Sequence, residues 1–394
     1  MKKTEPYKLL TLGLVGAIAL IIPITTIIKA SGMPERSFSE TENRYLADLP
    51  KFSWESVRDE EFMEDFEEYF SDRFILREEW INIKNSVDRL LGKTEIKNIF
   101  TIDGRMMEAW KGWDEAGLNA NLNAMAEFAE NHSQNQKVYF MLSPNAQEIY
   151  KDTLPAFCGA ADQKAFIDSC YGISDNIYGI DVYSALYGAR NDYIFYRTDH
   201  HWTSGGAFLA YREAGEVMGY EPYSIDKFNI EHASNEFRGT LYSQTLDNSV
   251  KPDIIDFYIP AGGSPQQTLH VFDGEKTEKY YSLYFREYLD KKDKYSSFLG
   301  LNVPMLEIET ELSEDVDKGS LLIFKDSYAN TLIPFLTNHY SKITVLDLRY
   351  INLPLADMGV DTNSYGSILF MYNTITFSED TNVRKLGFLD KSDA

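Results

Sequence analysis

The chain has 394 residues, 44% of them apolar and 14% aromatic, enough for one large domain or two, and this composition excludes global disorder. Its formal net charge is −23, with acidic residues spread along the whole length. Such a field repels nucleic acid, so DNA and RNA are set aside as partners; it also disfavours docking on anionic lipid, apart from whatever the N-terminus does.

Lys2, Lys3 and Lys8 precede an uncharged run over residues 9–28, about the length a helix needs to cross a bilayer. Acidic Glu35, Glu40 and Glu42 follow it. The charge asymmetry predicts a cytoplasmic tail (1–8), a transmembrane anchor (9–28) and export of everything after it. Cleavage is the competing expectation, since Ala30-Ser31-Gly32 offers small residues, and the protein would then be secreted. The run is long for a signal peptide and lacks a clear A-x-A site, which favours the anchor. Residues 29–54, polar and carrying Pro34 and Pro50, read as a linker.

Helical spacing begins at residue 55, with Phe62, Phe66, Tyr69 and Phe70 and then Ile81, Ile83, Val87 and Leu91 on apolar stripes. Residues 55–95 are therefore expected as one or two amphipathic helices packed on the main domain or on a partner. Asn98-Ile99-Phe100-Thr101-Ile102 with Asp103-Gly104 reads as a strand and turn, 115–132 as a helix, and 137–142 as a buried strand. That alternation predicts a parallel α/β core. Cys158 and Cys170 could close a small disulfide loop or be two unrelated thiols; ligands for zinc are lacking nearby. Tyr193-Ile194-Phe195-Tyr196 is strand-like and 207–218 helical. Residues 221–315, rich in Tyr, Lys and Asp, read as an insertion of mixed α/β character outside the core alternation. The alternation resumes with a strand at 320–324, a helix at about 329–339, and strands at 343–348 and 367–372.

Two segments carry chemistry. Ser327 follows a buried strand and precedes a helix, which places its hydroxyl at the carboxyl end of a parallel sheet, beside the N–H groups of a helix N-terminus. Those donors suit an oxyanion; a plain N-cap is the alternative. In Asp199-His200-His201-Trp202-Thr203, Asp199 and His201 stand two apart, so in an extended segment they share a side and His200 points away. A carboxylate beside an imidazole, with a serine elsewhere, makes the residue set of a catalytic triad. Metal binding by Asp199, His200 and His201 is the rival reading, disfavoured because adjacent strand histidines diverge; a structural Asp–His pair is another. No metal and no cofactor is expected. Asn145, after the 137–142 strand, is a candidate oxyanion donor or turn residue, and Arg238 in Phe237-Arg238-Gly239-Thr240 a candidate substrate contact or ion-pair partner. Arg349 reads as structural.

Thr198-Asp199-His200-His201-Trp202-Thr203 resembles the signature of the DHHW family, and is similar to the Asp-x-His-Trp-Thr segment of the alginate O-acetylation proteins with their SGNH-hydrolase-like domains. Asp326-Ser327-Tyr328 resembles their nucleophile block, and the run from Phe66 to Phe74 is also similar. The resemblance implies an SGNH-hydrolase-like, flavodoxin-like three-layer fold over 55–394 around a parallel central sheet. It also implies Ser327 as nucleophile, His201 as general base and Asp199 as its orienter, with Tyr328 as a further oxyanion or substrate candidate. Lys325 stands where the usual Gly-Asp-Ser block has glycine, which bears on the approach to the oxyanion. The implied activity is acyl transfer, acetyl above all, to surface polysaccharide or exopolysaccharide, or hydrolysis of such an ester, outside the cytoplasm. An acyl-delivering membrane partner is part of that expectation. The alternative is a catalytically silent module of the same fold that binds glycans or scaffolds an envelope complex.

Overall fold

A computed structural model describes residues 37–390 other than Asn43 and Ile75, together with Gly13, Gly16 and Leu20. The expected anchor at 9–28 thus lies outside the described residues but for those three, and no described helix is long and apolar enough to cross a membrane. The chain divides into two compact units, with the boundary between Lys93 and Thr94.

The first unit is helical where the apolar spacing predicts it, but as three helices, Trp54–Arg58, Glu61–Asp72 and Arg77–Leu90, and not one or two. Part of the expected linker is folded here. Phe38–Ser39 pairs antiparallel with Arg44–Tyr45, and the Arg44 guanidinium grips both carboxylate oxygens of Asp72, one of them at 2.9 Å. The Ala47 N–H donates to the same carboxylate at 2.9 Å. Buried Asp72 needs these partners, and the polar composition of 37–47 supplies them.

The second unit is mixed α/β around an eight-stranded sheet. Its strands are β1 (Lys137–Ser143), β2 (Ile177–Ile180), β3 (Gln267–Phe272), β4 (Thr277–Tyr280), β5 (Met305–Thr310), β6 (Ser320–Lys325), β7 (Lys342–Leu346) and β8 (Ser367–Asn373). Their order is β4-β3-β5-β7-β6-β8-β1-β2. The run β7-β6-β8-β1-β2 is parallel, and β5, β3 and β4 continue it antiparallel. Alternate residues of the parallel strands enter two separate cores. Tyr139, Ile323, Val345 and Leu369 lie in one, and Phe140, Phe324, Leu346 and Phe370 in the other. Both faces are therefore buried, which is why these strands read as continuous apolar runs. Each such side chain contributes about 1.5–3 kcal/mol by leaving water.

Helix α1 (Glu115–His132) covers one face with Leu118, Leu122, Met125 and Phe128, and its start is capped by the Asp114 carboxylate, which accepts from Gly117 N–H at 2.8 Å. Helices α2 (Ser204–Met218) and α3 (Ala329–Leu336) cover the other face through Ala207, Phe208, Tyr211, Leu332 and Ile333. Helix α2 ends at Gly219, whose φ of 82° suits glycine there.

Three expectations change. The strand at Ile99–Ile102 pairs antiparallel with Glu95–Ile96 and Arg105–Glu108 in a small separate sheet, not in the parallel core. Residues 193–196 form no strand; Phe195 makes a single antiparallel bridge to Trp202. The 221–315 segment is only partly an insertion. The pair Phe228–Phe237 and Asp253–Pro260 stands apart, whereas β3, β4 and β5 extend the central sheet. Antiparallel strands need no crossover helix, so they escape an alternation-based reading. Cys158 and Cys170 are both free and sit in different apolar clusters.

Buried His339, just past α3, accepts from the Tyr211 hydroxyl at 2.7 Å and stacks on Tyr220. Burial, with the Lys318 charge, pushes its pKa down to about 4. The unfolded chain therefore takes up this proton first, and stability is lost as pH falls from about 6.5 toward 4, by up to about 1.4 kcal/mol per pH unit for one group. Urea unfolding at pH 7 and pH 5 is expected to show a smaller acid loss in a His339→Gln variant than in the parent. Equal losses would refute the assignment.

Candidate active site

The carboxyl ends of β6, β8 and β1 lie side by side, because β6 leads through α3 to β7 on one flank while β8 and β1 occupy the other. Open α/β sheets hold their ligands at such a divergence. Asp326, Ser327 and Tyr328 leave β6 there, Asn373 ends β8, and Asn145 follows β1.

Into the same place projects the loop between Phe195 and Trp202. Its neck is closed by Tyr196 N–H donating to the His201 carbonyl at 3.2 Å and by Thr203 N–H donating to Ile194 at 2.9 Å. Asp199 and His201 therefore meet because the chain turns, not because it is extended. The Asp199 Oδ1 accepts the His201 backbone N–H at 3.0 Å, an Asx turn, and also the ring Nδ1 at 2.6 Å. A carboxylate at Nδ1 assigns the proton to that nitrogen and leaves Nε2 as the acceptor. The Ser327 Oγ lies 2.7 Å from Nε2. Asp199 and His201 are buried, whereas Ser327 is partly open to solvent.

Burial opposes the charge on Asp199, but His200, His201 and the hydrogen bonds it accepts outweigh that and hold its carboxyl below the ordinary range. The second oxygen accepts from Thr240 N–H at 2.8 Å and from its hydroxyl at 3.1 Å. Gly239 makes this approach possible: a Cβ there would lie 2.1 Å from Asp199 Oδ2.

Every residue of the 198–203 run has a structural assignment. Thr198 donates to Asp253 through its N–H (2.8 Å) and its hydroxyl (2.5 Å), and accepts from Gly239 N–H at 3.1 Å. The carbonyl of His200 accepts from the Tyr328 hydroxyl. The Trp202 indole N–H reaches Thr331 Oγ1 at 2.7 Å and the Tyr328 carbonyl at 3.0 Å, tying the loop to the helix behind the serine. Thr203 caps α2.

His200 does not diverge from His201. Their ring centroids are 3.9 Å apart, and with Asp199 they offer three ligating atoms within 4.8 Å. Protein partners already engage these residues: Asp199 bonds His201 and Thr240, His201 bonds Ser327, and His200 Nδ1 lies 2.7 Å from Thr240 Oγ1. Burial, then the neighbouring His201, pushes the His200 pKa down to about 4, so the ring is neutral near pH 7.

The helix N-terminus is less free than the sequence suggests. Tyr328 N–H donates to Asp326 Oδ1 at 2.9 Å, Ala329 N–H to the Asp326 carbonyl at 3.3 Å, and Asn330 N–H to the Ser327 carbonyl at 3.2 Å. Among the described residues, the Ser327 N–H has no acceptor. The Asn145 amide nitrogen donates to the Tyr328 hydroxyl (2.8 Å) and to Asn373 Oδ1 (3.2 Å), so both its hydrogens are committed within the protein. Tyr328 is fully buried and acts from beneath. Arg238 lies over the Tyr242 ring at 4.5 Å and donates to the Val250 carbonyl, while its neighbours Gly239 and Thr240 make the contact with Asp199.

Asp326 accepts from Asn373 through the backbone N–H (2.8 Å) and the side-chain amide (2.6 Å). Burial pushes its carboxyl up to about 6 despite those bonds. Lys325 is absorbed in a buried network: its ammonium donates to Asn302 (3.0 Å) and Asn330 (2.9 Å) and lies 3.7 Å from Asp347, which Arg349 holds with two bonds. Arg349 is structural, as its position in sequence indicates.

A family model for the DHHW proteins matches residues 111–346. The chain belongs to the DHHW family. The aspartate and both histidines of the family's letters are the Asp199, His200 and His201 just described, with Trp202 anchoring them. The fold is similar to the crystal structure of a DHHW family protein from Eubacterium siraeum, at 27% identity and a TM-score of 0.64, over 75% of this chain and 96% of that one. Bacillus cereus PatB1 with a sulfonyl adduct aligns at 18% identity and a TM-score of 0.60, over 73% of this chain and 97% of its own. The O-acetyltransferase domain of Pseudomonas putida AlgJ is a more distant likeness, at 12% identity and a TM-score of 0.43, over 73% and 98%. No curated protein matches the chain.

Sequence reasoning missed Tyr295, Asn373, Thr240, Gly239 and Asp253. Tyr295 stacks on His201 at 3.7 Å and 12°, and its hydroxyl donates to the Ser327 carbonyl at 2.8 Å. The one available signal was Phe237-Arg238-Gly239-Thr240, where the glycine beside a charged residue marked a close approach.

Proposed function

We propose that this DHHW protein is an SGNH-type serine acyltransferase or esterase, with acetyl as the acyl group and hydroxyls of cell-surface or exported polysaccharide as acceptors. The observation that supports it is the unbroken hydrogen-bond chain Asp199–His201–Ser327, at 2.6 and 2.7 Å. Ser327 Oγ attacks the ester carbonyl as His201 Nε2 takes its proton, and Asp199 stabilises the imidazolium. The tetrahedral oxyanion receives the uncommitted Ser327 N–H. Collapse expels the alcohol, which carries away the proton from His201 and leaves acyl-Ser327. A sugar hydroxyl, or water, then attacks the ester as His201 takes its proton, and collapse breaks the bond to Ser327 Oγ, which recovers the proton from His201. The chain works outside the cytoplasm, tethered by residues 9–28, and a membrane partner delivers the acyl group.

Sulfonyl fluorides label activated hydroxyls, and a sulfonyl adduct exists in the fold relative PatB1. Phenylmethanesulfonyl fluoride is expected to add one group to the peptide containing Ser327 and to abolish hydrolysis of 4-nitrophenyl acetate. Labelling elsewhere, with turnover intact, would sink the proposal.

A further inference from the structure

Away from the triad serine, an open cleft of about 490 Å³ is lined by Lys111, Trp113, Asp114, Glu379, Asp380 and Arg384. A second recess of about 160 Å³ shares Lys111, Gly112 and Glu379 with it and extends to Glu108, Trp110 and Ile375. Two of its lining residues connect to the groups around Ser327. Ile375 N–H donates to Asn145 Oδ1 at 3.3 Å, Asn145 braces Tyr328, and Glu108 lies within electrostatic reach of His200. The two depressions adjoin at Lys111, Gly112 and Glu379, and together they are called the trough.

Trp113 sets the chemistry of the trough. Its ring stacks on Trp110 (5.6 Å between centroids, 17°), and Phe166 meets it edge-on at 5.0 Å, so it is held from one side. About a third of it (37%) stays exposed. The chain reaches it through Gly112, at φ 122°, a conformation that strongly favours glycine. A rigid aromatic plate rimmed by Asp114, Glu379, Asp380 and Arg384 fits a pyranose, whose C–H face is apolar and whose rim carries hydroxyls. Among the described residues, the Trp110 indole N–H in the wall has no acceptor. Carboxylates outnumber cations around the trough, with Glu108, Asp114, Glu379 and Asp380 against Lys111 and Arg384, which favours an uncharged sugar over a polyuronate.

We propose that this trough is the acceptor-glycan subsite, with an uncharged pyranose stacked on Trp113 and the chain running past Glu379 toward Ser327. The proposal rests on the acyl-transfer reading for its biological meaning, but binding can be measured without it.

The full-length protein carrying Ser327→Ala, which cannot turn over, would be titrated by calorimetry with cellotetraose, xylotetraose and chitotetraose. At least one is expected to bind. Adding Trp113→Ala should weaken that binding tenfold or more, and the near-isosteric Glu379→Gln threefold or more, which keeps the test decisive if the alanine variant fails to fold. A Tyr281→Ala control, at a side chain 75% exposed, should bind like its parent. Binding of none of the three probes, tighter binding of tetragalacturonate, or affinity untouched by both trough variants would each overturn the subsite. Because Ser327 has no hydroxyl here, failure of this test is separate from failure of the sulfonyl and ester assays.

Discussion

Ser327→Ala is expected to lower kcat/KM for 4-nitrophenyl acetate by about 10³-fold or more, leaving only what positioning and the backbone donor provide. The Oγ is the sole atom removed, and it lies 2.7 Å from His201 Nε2 at the partly open end of an otherwise buried hydrogen-bond chain. The groups holding the turn do not involve that oxygen. Asp326 secures the Tyr328 N–H, and Tyr295 holds the Ser327 carbonyl. The melting temperature should therefore stay within a few degrees of the parent. Turnover within tenfold of the parent, on a protein with unchanged melting, would remove Ser327 from the chemistry. A collapse in melting temperature would instead make it a structural cap.

The second large effect is expected from Asp199→Asn, a loss of about 10²–10⁴-fold in kcat. Asp199 faces donors on both sides: the His201 backbone N–H and ring Nδ1 on one oxygen, the Thr240 N–H and hydroxyl on the other. An asparagine offers one oxygen. If its NH₂ turns toward His201, the ring must carry its proton on Nε2 and can no longer accept from Ser327. If the NH₂ turns toward Thr240, it meets a backbone donor, and an unmade buried hydrogen bond costs about 1–3 kcal/mol. The variant is thus expected to lose stability along with activity, whereas the Ser327 variant loses activity alone. Urea unfolding beside ester kinetics separates the two. Near-parent kcat in Asp199→Asn would mean that His201 is oriented by other groups.

In the parent the Asp199 carboxyl is held below the ordinary range, although burial pushes the other way. A group depressed on folding contributes stability above its unfolded pKa, near 4, and loses it only as pH falls through the folded value. Asp199 therefore stays ionised throughout the acid window in which His339 weakens the fold.

Much of the fold was legible because it is periodic. Helix Glu115–His132 and the strands Lys137–Ser143, Ser320–Lys325, Lys342–Leu346 and Ser367–Asn373 all stand where apolar spacing and continuous apolar runs place them, to within two residues. The bounds of α3 were less sharp: it stops at Leu336, and Thr337 to Tyr340 turn away. What periodicity could not convey was pairing. The strands at 267–310 look like an insertion by composition, yet they join the central sheet, because ladder partners are chosen across the fold.

The sequence alone determined which side chains could do the chemistry. Ser327 after a buried strand, and Asp199 with His201 two apart, are local patterns, since residue type, spacing and the preceding element lie within a few positions of each other. The tertiary structure decided how they are arranged. Only there do Thr240 and Gly239 close on Asp199 from forty residues away, Tyr295 stack on His201, and Asn373 hold the Asp326 that shapes the turn at Ser327. It also turned a pair expected to align along an extended segment into one that meets across an Asx turn, and left the Ser327 N–H as the uncommitted donor. The physical reason is that burying an ionised carboxylate or a backbone N–H demands a partner, but does not say from where in the chain it comes. Hydrogen-bond partners drawn from distant loops leave no period in the sequence, whereas the strands and helices that carry them do.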